Sequence, residues 1–463
     1  MTNIAAGYSE LTKRPPLVKG YPVIGSLKPL LENPHEFVKS AYKEYGNAFR
    51  FKAAHREYTV LAGVEANRFI SGEGKDCFGV DGFWGKAGEY MGCPHLMIAV
   101  DGDIHRYQRN IMMPLLSQNA FKDRLDDLAA PIQSLLPQFS RRRSVHVGPM
   151  VRQMISNQIS LSLQGHATSH KKVEQMIYYF GGVMNVFGLR KWPRFMLELP
   201  KFKLARHITL RHVKRVLKFS EQRTEAEKML APHYLDTILP AMKAKPEWFS
   251  RGDLEGQALL PYVAALDTVA ATMGFMLHRL LCDAVLKARV QAEVDSVFAQ
   301  GIPDIKTLRG MAALNGLIKE TMRLQPTGFG ITRSATRDFE FQGFRILKGE
   351  DILVFTTADH SNPAFFSEPD LFDVDRFAAP RNEHRQPAYA PFGKGPHNCL
   401  GASMAEIMLP LDMGLLLYHL EVRAACDLKS IKIQFNPAPV LSNNFKVKLK
   451  LRNTDLNQSS SVR

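Results

Sequence analysis

The stretch Phe392-Gly-Lys-Gly-Pro-His-Asn-Cys-Leu-Gly401 decides how this 463-residue chain is read. Cys399 sits in a glycine-rich loop directly before an apolar helix pattern that runs to Leu420. Backbone N–H groups at a helix start favour negative charge, so a cysteine there is biased toward thiolate. Gly393, Gly395 and Gly401 let the backbone come close to a flat ligand. His397 adds a hydrogen-bond donor two residues before the sulfur. A thiolate, a close backbone and a donor for an anionic arm suit an iron porphyrin, which few other protein groups than Cys, His, Met or Tyr ligate. The plainer alternative is a small packed cysteine. A metal site without porphyrin would want a second cysteine nearby, and none lies within twenty residues.

Working outward, 60 Lys+Arg against 45 Asp+Glu give a net charge of +15, with 45% hydrophobic and 23% charged residues. These are globular proportions and exclude a disordered or fibrous chain. Five cysteines are too few for a disulfide scaffold, which suits a reducing, cytoplasmic setting. No apolar run reaches about 18 residues and the N-terminus lacks a secretory core, so no transmembrane anchor is expected, at most peripheral membrane contact. The charge is uneven: Arg190 to Arg223 holds eleven Lys/Arg and two acids, mixed with Trp192, Phe195 and Phe202. That mixture suits anionic lipid, an acidic carrier protein, or a solvated helical face. No nucleic-acid motif accompanies it, so no nucleic-acid partner is expected.

The periodicity is mostly helical from about residue 100 to 325, with one long helix expected from Asp253 to about Asp283 and irregular first turns at Pro261. A second is expected over Asp304–Leu324. Short strands are expected at 48–62, in 338–357, and as a hairpin over 431–452. The fold class is mainly α with small β-sheets (α+β). One large domain, 14–452, fits better than three, with a flexible N-terminal arm at 1–13 and a polar tail at 453–463.

The spacing Phe392-x-x-Gly395-x-His397-x-Cys399-x-Gly401 resembles the haem-binding signature of the cytochrome P450 family. Further motifs follow in the family's order, and the resemblance runs from about Arg14 to Arg452. It implies haem b (iron protoporphyrin IX) between the long central helix and the Cys loop, with Cys399 as axial ligand of the iron. Phe392, Gly393 and His397 would line the cofactor, and His105, Arg109 and Arg333 would bind its propionates. Ala264-Ala-Leu-Asp267-Thr268 resembles the oxygen-handling segment, Thr268 placing dioxygen and Asp267 supplying protons. This chain departs there from the family pattern at Ala265 and Val269. Glu320 and Arg323, with Arg376, resemble a structural ion set; Val374 stands where Pro is common. Phe83, Trp84, Phe187, Ala264, Phe329 and Ile331 would line the substrate pocket.

By the same resemblance the chain is a monooxygenase that takes electrons from a separate ferredoxin or flavodoxin, since it carries no flavin or iron–sulfur motif. Arg106, Lys319 and Lys394 would offer that partner a basic face. The substrate would be small and mainly apolar, a terpenoid, steroid, fatty acid or polyketide of secondary metabolism. The alternatives are a peroxide-driven or isomerising enzyme of the same fold, and a non-catalytic haem sensor or binding protein.

Overall fold

The computed structural model describes residues 13–435 and 438–452. The expected polar tail and all of the expected N-terminal arm but Lys13 lie outside the described residues.

Two helices organise the interior. Arg251–Cys282 starts on a capping box, in which Ser250 N donates to Asp253 Oδ2 at 2.8 Å and Asp253 N to Ser250 Oγ at 3.3 Å. It stays continuous through Pro261, against the irregular start expected from sequence. Contacts on both sides of the proline hold it: Gln164 Nε2 donates to Ala258 O at 2.6 Å, and the Tyr262 hydroxyl lies 2.8 Å from Ser160 Oγ. Among the described residues it is the one helix long and apolar enough to cross a membrane, and 67% of its apolar window is buried inside the protein. The second helix, Ala402–His419, follows the Cys loop and is apolar on almost every side, with Met404, Leu411 and Leu416 all buried. Helices from both halves of the chain pack around this pair in one large core.

The expected Asp304–Leu324 helix is two helices, Ile305–Gly310 and Ala312–Leu324. Glu293, from the helix Ala284–Phe298, accepts Ala313 N at 3.0 Å and Leu314 N at 2.8 Å, capping a new helix start inside the expected one.

The strands form a layer beside the helices. β1 (Ala48–Ala53), β2 (Arg56–Ala62), β3 (Phe78–Gly79), β5 (Ile331–Ala335) and β8 (Asp351–Phe355) make a sheet of order β1-β2-β8-β5-β3. The pair β2·β8 is parallel and the others antiparallel. β6 (Phe339–Phe341) and β7 (Phe344–Ile346) form a hairpin. The C-terminal segment expected as one hairpin holds a small one, β10 (Ile433–Phe435) with β11 (Pro439–Leu441). Its last strand, β12 (Lys446–Leu451), leaves them to pair with β9 (Leu420–Ala424) and β4 (Val145–His146). Val447 and Leu449 of β12 face inward into the large core, while β4 and β9 flank the strand edge to edge.

Candidate active site

The cysteine loop closes on itself: Cys399 N donates to Phe392 O at 2.8 Å and Gly393 N to Ala390 O at 3.1 Å. Gly393 and Gly395 have φ of +71° and +83°. At Gly395 a Cβ would stand 2.8 Å from Ile70 O, so the loop lies against the helix Gly63–Ser71 at a distance only glycine allows. Arg109, on the helix Gly102–Leu115, donates to Asn398 O at 2.9 Å and also to its side-chain oxygen. One turn earlier His105 stacks on His397, ring centroids 3.8 Å apart. His397 Nε2 lies 2.8 Å from Asp101 Oδ1, and Asp101 Oδ2 accepts Val80 N at 2.9 Å. Burial pushes the Cys399 thiol up, while the Gly401 amide and the Arg109 guanidinium oppose that.

The long helix carries a second accessible feature. Away from its ends, Ala264 and Thr268 are the accessible side chains of an otherwise buried or half-buried helix, and their i, i+4 spacing stacks them on one stripe. The Thr268 hydroxyl donates back to Ala264 O at 3.1 Å or Ala265 O at 3.2 Å. Asp267 is engaged elsewhere. Arg152, on the helix Val147–Gln158, pairs with its carboxylate. Arg152 also grips Glu174, on the helix His170–Val183, through bonds of 3.0 and 3.2 Å. Burial raises the Asp267 carboxyl; Arg152 pulls it down and Glu174 adds to the rise. Sequence reasoning missed both partners, because neither lies within ninety residues of Asp267 and neither sits in a motif.

Glu320, Arg323 and Arg376 meet in the interior, none of their side chains exposed. Arg323 Nε reaches Glu320 Oε2 at 2.7 Å and Arg376 Nε reaches Glu320 Oε1 at 2.9 Å. A fourth member, Glu383, takes Arg376 Nη1 at 2.7 Å and was not singled out from sequence. The cluster holds two guanidinium and two carboxylate groups, so it is electrically balanced.

Of the expected pocket residues, Phe83, Trp84 and Phe187 share one aromatic cluster formed by the π-helical turns Asp81–Gly85 and Met184–Gly188. Ile331 approaches the loop, its Cγ2 3.8 Å from where a Cβ on Gly393 would stand. Phe329 turns elsewhere: its ring contacts are His35 and Phe355, at 5.5 and 5.9 Å, in the sheet layer, where Gly330 lets the chain lie close on β8. Of the expected docking cations, Arg106 is paired with Asp103, and Lys319 and Lys394 are half-buried.

The residues present fit a haem. Cys399 is accessible although the protein closes around it, and so is the Ala264–Thr268 stripe. His105 Nε2 is buried without a hydrogen-bond partner. Arg333 is 8% exposed and donates to the carbonyl of its own neighbour, Thr332, at 2.7 Å. A buried donor and a buried cation left this way ask for anionic oxygen, which propionates supply.

The family model for cytochrome P450 matches residues 15–451. The chain belongs to the cytochrome P450 family. It is 24% identical over 442 residues to cytochrome P450 120 of Synechocystis sp., covering 94% of this chain and 96% of that one. It is 23% identical over 441 residues to abscisic acid 8′-hydroxylase 4 of Arabidopsis thaliana, covering 93% and 91%. The retinoic acid-bound cyanobacterial CYP120A1 shares the fold at a TM-score of 0.80, with 22% identity over 95% of this chain and 99% of that one. This P450 is therefore a monooxygenase with haem b as cofactor, acting on a substrate with electrons from a redox partner.

Proposed function

We propose that this P450 hydroxylates or epoxidises an apolar substrate of terpenoid or related lipid type, with Cys399 as the axial ligand and 14–452 as the haem domain. The observation that carries the reading is that Cys399 and the Ala264–Thr268 stripe of the long helix are both accessible inside a fold whose neighbouring side chains are mostly buried or half-buried. The names of two similar proteins support the isoprenoid class, since retinoic and abscisic acids are both isoprenoids.

When bound, haem with a thiolate ligand supplies reductive activation of dioxygen and O–O cleavage. The chain's own residues do the rest. Arg109 holds the Asn398 end of the loop and keeps positive charge near the Cys399 sulfur. Arg333 and His105 would hold the propionates. Thr268 keeps its hydroxyl on the carbonyls of its own turn and can swing a donor toward the stripe. Burial raises the Asp267 carboxyl and Arg152 opposes that, so Asp267 is the group proposed to supply protons, with Arg152 and Glu174 beside it. Electrons come from a separate ferredoxin or flavodoxin in the cytoplasm, and the basic segment 190–223 is the part that could touch a membrane or carrier protein.

The test is the CO difference spectrum of the dithionite-reduced holoprotein, with Cys399→His beside it. The parent should give the red-shifted Soret band of a thiolate-bound carbonyl haem and the variant the band of an imidazole-bound one. An identical spectrum from both would reject Cys399.

A further inference from the structure

The aromatic cluster around Phe83, Trp84 and Phe187 is rimmed by cations. Arg194 stands 5.3 Å over the Phe187 ring, Lys201 4.8 Å over Tyr178 and Arg206 5.9 Å over Tyr90. Arg190 and Lys191 follow the π-helical turn that carries Phe187. Their turn is pinned: Lys191 N and Trp192 N both donate to Asn185 O, at 2.7 and 3.1 Å, and Asn185 Nδ2 donates to Gly181 O at 2.9 Å. Arg190 is held at φ +52°, an unfavourable conformation for a residue with a Cβ. Its Nη2 donates to Gly82 O at 3.3 Å, which ties it to the turn that carries Phe83 and Trp84. It also lies near enough to β2 to pull against the burial that raises the Tyr58 phenol.

Within the same stretch Lys203 pairs with Glu198 at 3.0 Å, while Arg194 stands on a ring and Arg190 on a carbonyl. Surface cations this close in sequence repel one another, and a strained backbone holding one of them in place adds to the cost.

We propose that Arg190, Lys191 and Arg194 form a receptor for the anionic head group of the substrate at the edge of the aromatic cluster, so that this P450 selects an apolar body ending in a carboxylate or phosphate. The inference rests on the apolar-substrate reading above and adds the polar end. The aromatic rings take the hydrocarbon, and the rim cations supply the charge that the head group lacks inside the protein. Arg194 already stands over the Phe187 ring and Arg190 is tied to Gly82 O, so little ordering of these two is lost on binding.

The experiment uses the holoenzyme and two chain lengths, the fifteen-carbon farnesyl and twenty-carbon geranylgeranyl series. Each is offered as the free acid, the methyl ester, the alcohol and the monophosphate. Binding is read by equilibrium dialysis and by the Soret shift. The acid or the phosphate should bind at least about tenfold more tightly than the ester and alcohol. Raised salt should shrink that gap. Lys191→Glu/Arg194→Glu should erase it while leaving ester affinity within about twofold, which also shows the variant is folded. The acid-to-phosphate ratio identifies the head group. Equal binding of charged and neutral forms, or a gap that survives the double charge reversal, overturns the receptor while leaving the apolar pocket standing. Failure of every compound in both series overturns the apolar-substrate reading itself.

Discussion

Replacing Arg376 by Leu tests how the segment before the cysteine loop is held. Arg376 is fully buried and its guanidinium makes five bonds. It reaches Glu320 at 2.9 Å, Glu383 at 2.7 Å, and the carbonyls of Ser367, Glu368 and Leu371 at 2.8, 3.3 and 3.0 Å. Removing one member of a buried ion pair costs about 3–5 kcal/mol, because the other charge stays behind in a poor solvent. Here Glu320 keeps both bonds from Arg323, at 2.7 and 2.8 Å, which limits the loss at that end. Of the three carbonyls, Leu371 O keeps Arg323 Nη2 and Glu368 O keeps Leu371 N, so Ser367 O is the one that loses its donor, at roughly 1 kcal/mol. We expect about 4 kcal/mol for Arg376→Leu. For Glu383→Gln, whose carboxylate lies at the cluster's edge and touches Ser367 and Arg381, we expect about 1 kcal/mol. Guanidinium unfolding followed by the Soret band and by far-ultraviolet circular dichroism reads both. The double variant Glu320→Gln/Arg376→Leu should cost less than the sum of its singles, since each single strands a charge that the double removes. An Arg376→Leu midpoint within about 1 kcal/mol of the parent, or strict additivity, would refute the account.

Three further outcomes are expected. Arg152→Leu removes the cation that holds the Asp267 carboxyl down and leaves Glu174 beside it, so the pH profile of product formed per NADPH should move to higher pH; an unmoved profile would separate Arg152 from proton supply. Burial raises Asp412 to about 8, and its one described bond is from Gln158 Nε2 at 2.8 Å. The folded state then holds a proton that the unfolded state has released, so this group's stabilisation falls as pH rises from about 4 to 8, by up to about 1.4 kcal/mol per unit. Asp412→Asn should flatten that slope in urea melts at pH 5 and pH 8; parallel slopes would contradict it. Gly395→Ala must carry a Cβ at φ +83° and 2.8 Å from Ile70 O, and should lose about 2 kcal/mol and much of its haem retention. Gly401→Ala, at φ −83° and 4.0 Å from the Cys399 sulfur, is the control and should be tolerated.

What the sequence alone determined is what short-range geometry dictates. The helix after Cys399, the glycines at positive φ in its loop, the i, i+3 meeting of Glu320 and Arg323, the β1–β2 hairpin and the Asn33 cap on the helix Pro34–Tyr45 all follow from spacing within a few residues. Family resemblance then gathered distant segments around Cys399. The tertiary structure alone decided partners chosen by packing over long chain separations. Glu293 caps a helix start that periodicity runs straight through. β12 leaves its expected hairpin to pair between β9 and β4, where its apolar face joins the large core. Glu383 completes the buried cluster, Phe329 joins the sheet layer, and Arg152 with Glu174 surrounds Asp267. A hydrophobic period records that a face will be buried; which charge or strand meets it depends on shapes formed only after the helices have packed.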